Sequence, residues 1–185
     1  MNLFDAIETR RSTRRFSENP VEPHLINEIL RLANCAPSAS GARPWRFVVL
    51  NARDLLFDAA KINPFGQMAD RAACGVVVLG DLFREKQSGF WVQDCAACTT
   101  VLLLAAHGHG IGAVWTGIYP VKQRVEQFRD LVNAPQSLVP FSLVLLGRSE
   151  QRPKEITDRP SPDNVYYNAF GNTTQHEEGL NRSGQ

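Results

Sequence analysis

The segment that most constrains this chain runs from Gly89 to Gly108, where Trp91, Val92, Cys95, Cys98 and the run Val101–Ala106 recur at helical spacing. The pattern begins amphipathic and is apolar on every side from Val101 onward. A helix without a polar face has to be enclosed, either inside the fold or between subunits. Gly108-His109-Gly110 closes it with the signature of a left-handed helix cap. A chain of 185 residues is long enough to bury such an element in one domain.

The rest of the sequence supplies what could enclose it. Apolar, β-rich runs near 46–50, 75–80, 112–116 and 141–146 predict four strands, the second a buried one bounded by glycines. Helical patterns fall between and before them. Asn2–Thr9 carries a stripe of Leu3, Phe4 and Ile7, and Glu22–Asn34 repeats Leu25, Ile26, Ile29, Leu30 and Ala33. Arg53–Lys61 is helical, Gln67–Ala73 suggests a further turn, and Pro120–Arg129 buries Val121, Val125 and Phe128. Helices first, then strands separated by helices, describe an α+β fold with one sheet covered by helices. Residues 1–170 read as one domain and 171–185 as a polar, flexible tail. Before the tail, Arg148–Asp163 is polar and proline-rich and is expected to drape over a surface, with Tyr166 to Phe170 as aromatic anchors.

Charge narrows the functions available. The formal net charge is only +1, which argues against a dedicated nucleic-acid binder. No apolar run is long enough to span a bilayer and no leader pattern precedes the domain, so the expectation is a cytoplasmic protein without a membrane partner. Neither a Walker A motif nor a GxGxxG in strand-to-helix context is present. Cys95-Ala-Ala-Cys98 has redox or metal spacing, but it lies in the long helix with no second pair, which favours buried structural thiols. His107 and His109, two residues apart on a glycine-rich turn, are a poor metal site.

Against that near-neutral background, four of the six residues Arg10–Arg15 are arginines. Guanidinium forks match phosphate oxygens and stay ionised, so the cluster reads as an anion site, with solvated surface as the plainer alternative. Arg10, Ser12 and Arg14 share a face if the segment is extended, and Arg10 and Arg14 still do if it is helical. Pro37 to Trp45 is a loop of small residues bounded by prolines, either an ordinary connection or a place where backbone N–H groups meet a flat ligand. The strand ending in Thr116-Gly117 can likewise aim an N–H at a ligand atom.

These motifs, together with Trp91-Val92-Gln93-Asp94, Gly110 to Gly117 and Leu146-Gly147, resemble in order and spacing the FMN-dependent nitroreductase family in its short single-domain form. The resemblance runs from Asn2 to about Phe170. It implies a nitroreductase-like fold, with a central, mostly antiparallel sheet covered by helices, in an intertwined homodimer with FMN at the interface. By motif position Arg10, Ser12 and Arg14, with Arg11 possible, would hold the phosphate and ribityl chain, and Arg159 would complete the phosphate site. Pro37, Ser38, Ala39 and Ser40 would reach the flavin from the second subunit, and Thr116-Gly117 would meet its ring. Family members often have Asn and Gln where this chain has Gly41 and Arg43, so an amide is lost and a cation gained beside the flavin. The implied activity is ping-pong hydride transfer from NADH or NADPH through flavin N5 to nitroaromatic, quinone or similar acceptors, with no side chain as acid or base. Relatives of other chemistry (dehalogenation, flavin cleavage, heterocycle oxidation) and a non-enzymatic flavin binder remain alternatives.

Overall fold

The computed structural model describes residues 1–150 and 165–172, and Arg159, one of the expected phosphate ligands, lies outside them. The chain divides into two compact units, Met1–Pro153 and Lys154–Gln185. In the second, Tyr166 and Phe170 pack their rings 4.6 Å apart.

The first unit is α+β. Helices α1 (Leu3–Thr9) and α2 (Pro23–Ala33) precede strand β1 (Trp45–Leu50), helix α3 (Arg53–Ile62) and strand β2 (Cys74–Asp81). Helix α4 (Trp91–Gly108), strand β3 (Gly112–Gly117), helix α5 (Lys122–Leu131) and strand β4 (Leu138–Gly147) complete it. Gln67–Arg71 is a short 3-10 turn in place of the α-helical turn its pattern suggests. The strands form one sheet in the order β1-β2-β4-β3, antiparallel at every pairing, as expected of the fold.

Alternation along the two central strands sends side chains to opposite layers. Val76 and Val78 of β2 and Val144 and Leu146 of β4 join the core under α2 and α4. Val77, Leu79, Leu143 and Leu145 face the second core, under α3 and α5. A register shift between Val78 and Leu79 lets Phe141 return to the α4 side. There it meets Trp91, whose ring also packs edge-on against Tyr119 at 4.9 Å. The α4 N-terminus can approach this closely because residue 80 is glycine: a Cβ there would lie 2.2 Å from Trp91 Cε3.

Three local features bear on the expectations, and one of them, Val121, overturns its own. The stripe on α1 faces outward, with Leu3 64%, Phe4 75% and Ile7 48% exposed and only Ala6 buried. Val121, expected in the core of α5, is the exposed residue that precedes the helix. Finally α4, apolar all round by sequence, buries one face through Cys95, Cys98, Leu102 and Leu103 and leaves Val92, Val101 and Leu104 half-buried. Its end is a Schellman cap, with Ile111 N–H donating to Ala106 O at 2.8 Å and Gly110 at φ 70°.

Candidate functional site

The arginine segment leaves α1 at Arg10 and crosses the end of the sheet where β3 begins and β4 ends. Ser12 pairs with Ala113 in a parallel bridge, Thr13 N–H donates to Ala113 O at 2.9 Å, and Phe16 pairs with Ser149. Two glycines make the crossing possible. A Cβ at Gly112 would stand 2.8 Å from Thr13 Cγ2, and one at Gly147 2.7 Å from Phe16. The buried residues are Thr13 and Phe16, three apart, so a simple two-residue alternation does not run through the whole segment.

Within it the arginines differ. Arg11 folds back, its Nη1 donating to Glu8 O and Arg10 O at 2.8 Å each, which caps the end of α1. Arg14 and Arg15 are exposed. Arg10 is half-buried and makes no ion pair among the described residues. A guanidinium partly withdrawn from water without a carboxylate is a ready anion site.

The same edge of β3 carries the second element. Ala113 O accepts from Thr13, and Gly117 O accepts from Asn63 Nδ2 and Arg124 Nη1 at 3.2 Å each, so the odd-numbered residues turn their polar groups away from β4. Gly117 N–H therefore points to this edge too. Thr116 turns the other way: it is buried, and its hydroxyl donates to Leu143 O at 3.1 Å. Asn63, Arg124 and Phe65 are residues that motif reading missed. Asn63 is fully buried and also accepts Phe65 N–H at 3.1 Å, an Asx turn that Asn-Pro-Phe-Gly could have signalled. Nothing in the local sequence marks Arg124, whose guanidinium lies 5.4 Å from the Phe65 ring centre.

The small-residue loop is more tightly built than its composition suggests. Ser40, Gly41 and Arg43 all adopt left-handed conformations, with φ of 51°, 63° and 47°. Several N–H groups expected to be open to a ligand are already bonded. Ala39 N–H donates to the buried Asp94 at 2.8 Å, Arg43 N–H to Ser38 Oγ at 2.8 Å, and Gly41 N–H to Ser38 O at 3.0 Å. Lys86 Nζ adds a bond to Ser40 O at 3.0 Å. Pro37, Ser40 and Arg43 remain exposed.

These pieces do not converge within one chain. The loop is tied to Asp94 at the start of α4. The arginine segment is tied to its end, where His107 Nε2 lies 2.8 Å from Thr9 Oγ1. Those two α4 residues are about 20 Å apart along the helix axis. Across the sheet, the loop leads into β1 while Gly117 ends β3, the opposite edge, about 14 Å away.

The thiols of Cys95 and Cys98 are buried, and burial pushes Cys98 and Cys74 up to about 12 and Cys95 higher still. Among the described residues no metal-ligating group of three side chains is gathered, and no helix is long and apolar enough to cross a membrane.

The sequence profile of the nitroreductase family matches residues 7–67, which hold the arginine segment, the small-residue loop and β1. Over 166 residues the chain is 42% identical to a protein of Methanothermobacter thermautotrophicus provisionally named NADH dehydrogenase/NAD(P)H nitroreductase, a match spanning 90% of this chain and 86% of that one. The chain belongs to the nitroreductase family. Solved structures of similar proteins agree with this nitroreductase fold. One from Parabacteroides distasonis, with the same provisional name, is 32% identical and superposes with a TM-score of 0.85, covering 92% of this chain and 100% of that one. Another, a provisionally assigned nitroreductase from Desulfovibrio desulfuricans in complex with FMN, is 25% identical with a TM-score of 0.78, covering 92% and 98%.

Proposed function

We propose that this nitroreductase-family chain is a cytoplasmic, homodimeric oxidoreductase that binds FMN. The observation that carries the reading is the open edge of β3. It has the half-buried Arg10, without an ion pair among the described residues, and Ser12 at one end, and the outward N–H of Gly117 at the other, about 13 Å along the strand. That edge suits an elongated ligand with a phosphate at one end and a flat ring at the other. Arg10, Ser12 and Arg14 would hold the phosphate and ribityl chain, and Gly117 N–H would face the ring. Asn63 and Arg124 act behind it, fixing Gly117 by its carbonyl.

Pro37, Ser38, Ala39 and Ser40, with Arg43, would come from a second copy. Two α4 helices running antiparallel would carry the loop of one chain to the arginine segment of the other. The outward apolar face of α1 and the half-buried Val101 and Leu104 offer the surface for that pairing. When bound, the flavin would supply two-electron chemistry that couples NADH or NADPH oxidation to reduction of an acceptor such as a nitroaromatic or a quinone. The protein's part is to orient the ring, exclude water and place positive charge near the reduced flavin.

The purified protein should carry a flavin absorption band that bleaches anaerobically with NADH or NADPH and returns on addition of a nitroaromatic or quinone. A band that never bleaches would make the protein a passive flavin binder, and no band after reconstitution with FMN would sink the reading.

A further inference from the structure

His107, set aside above as a metal ligand, occupies the last turn of α4 against the end of α1. Its bond to Thr9 has a determinable direction. Thr9 Oγ1 lies 2.5 Å from Asp5 O and 2.8 Å from His107 Nε2. A hydroxyl owns one proton, and a carbonyl can only accept it. The proton therefore goes to Asp5 O, so Nε2–H of His107 donates to the Thr9 oxygen. The neutral ring is the Nε2–H tautomer, and Nδ1 is the site left to take a proton. Protonating it leaves the bond to Thr9 intact, because both nitrogens of an imidazolium are donors.

The charged groups that act on the ring are Arg10 and Arg11 at the end of α1, while His109, two residues further on, faces Glu28 of α2. Burial first, then the positive charges of Arg10 and Arg11, hold the imidazole below its ordinary range. A phosphate dianion placed against Arg10 and Ser12 would cancel the second of these effects and leave only the first.

We propose that His107 is a positioning residue of the phosphate pocket, one that anchors the Arg10 end of α1 to α4 through Thr9 and takes a proton from solvent at Nδ1 when a phosphate monoester binds. The inference rests on the reading that this segment holds the FMN phosphate. Its sign follows from linkage: the bound form has the higher imidazole pKa and so carries more protons. FMN affinity gains from His107 as pH falls through the range where the free ring is still neutral.

The test uses full-length protein stripped of flavin, titrated with FMN by quenching of flavin fluorescence and by calorimetry in two buffers of different ionisation enthalpy. His107→Gln keeps a donor for Thr9 but does not titrate. It should match the wild type within about twofold near pH 8 and fall progressively behind it as the pH drops toward 5, by about threefold near pH 6. Comparing the two proteins cancels the second ionisation of the phosphate itself, near pH 6. Riboflavin, which lacks the phosphate, should show no such divergence. Parallel FMN profiles and equal proton uptake would overturn the proposal while leaving the flavin site intact. Failure of the folded wild type to bind FMN at any pH would instead remove the site reading and the proposal with it. Should the variant not fold, NMR titration of His107 in the wild type decides: a pKa raised by FMN supports the role, and an unmoved one refutes it.

Discussion

Asp94 ties the small-residue loop to α4, and replacing it tests whether that loop is a built element. Ser40 and Arg43 are L-residues in left-handed conformations, which together cost about 2–4 kcal/mol. Four bonds hold the loop there: Ala39 N–H to Asp94, Gly41 N–H to Ser38 O, Arg43 N–H to Ser38 Oγ, and Lys86 Nζ to Ser40 O. The bond to Asp94 has a carboxylate acceptor that is only 5% exposed, which puts its contribution at about 1.5–3 kcal/mol. Removing it offsets most of the margin against strain and lowers the population of the present loop conformation by about 30-fold. In Asp94→Leu, which keeps the volume, the Ala39 amide should exchange with solvent near its unprotected rate while amides in the middle of β2 stay protected. FMN affinity of the apoprotein should fall by about tenfold or more, because a loop that must first reorder binds less tightly. Asp94→Asn retains an acceptor oxygen and should lie between the two. Unchanged Ala39 protection in Asp94→Leu would refute the reasoning.

Gly80→Ala places a methyl group 2.2 Å from the Trp91 ring and should destabilise the fold by about 3 kcal/mol in urea unfolding, with Trp91→Leu relieving much of that loss in the double variant. Of the four thiols, exposed Cys35 should react rapidly with a disulfide reagent near pH 8. Cys74, Cys95 and Cys98, buried and held as neutral thiols by pKa values raised to about 12 or beyond, should react only on denaturation, and raising the pH to 9 should barely speed them. Arg10→Ala should weaken FMN binding by about tenfold to a hundredfold, the loss of a charge-assisted phosphate contact, whereas Arg15→Ala should change it by no more than about threefold; equal losses would mean that the wrong arginines have been assigned to the phosphate.

The strands were legible because Val76 to Leu79 is a β-rich run between glycines and Phe141 to Leu146 one between Pro140 and Gly147, and α2 because its apolar residues keep helical spacing. Their spatial order β1-β2-β4-β3 was not, since register is decided by pairing between distant segments. Leu3, Phe4 and Ile7 show a further limit: periodicity reveals an apolar face but not which body covers it. Arg10 and Ser12 stood out through local charge density. Thr9 and Arg124 did not, and Asp94 appeared only inside a helix-start motif without a role, because each acts by reaching a backbone or side-chain group that the fold brings near from another element. The small-residue loop was legible as a loop, but its composition alone could not reveal that its N–H groups are already bonded, one to Asp94 of α4 and one to Ser38 within the loop.

The uncovered side of β3 has a consequence for handling the protein. An edge strand with outward polar groups is a template for pairing with another chain. Here the arginine segment blocks it only around Ala113, while Asn63 and Arg124 occupy the carbonyl of Gly117. Whatever ligand lies along the remaining stretch also shields that strand from unwanted strand addition. If FMN lies along that stretch, as proposed, solubility and cofactor loading are coupled: the flavin-stripped protein is expected to self-associate more readily in light scattering than the FMN-loaded form.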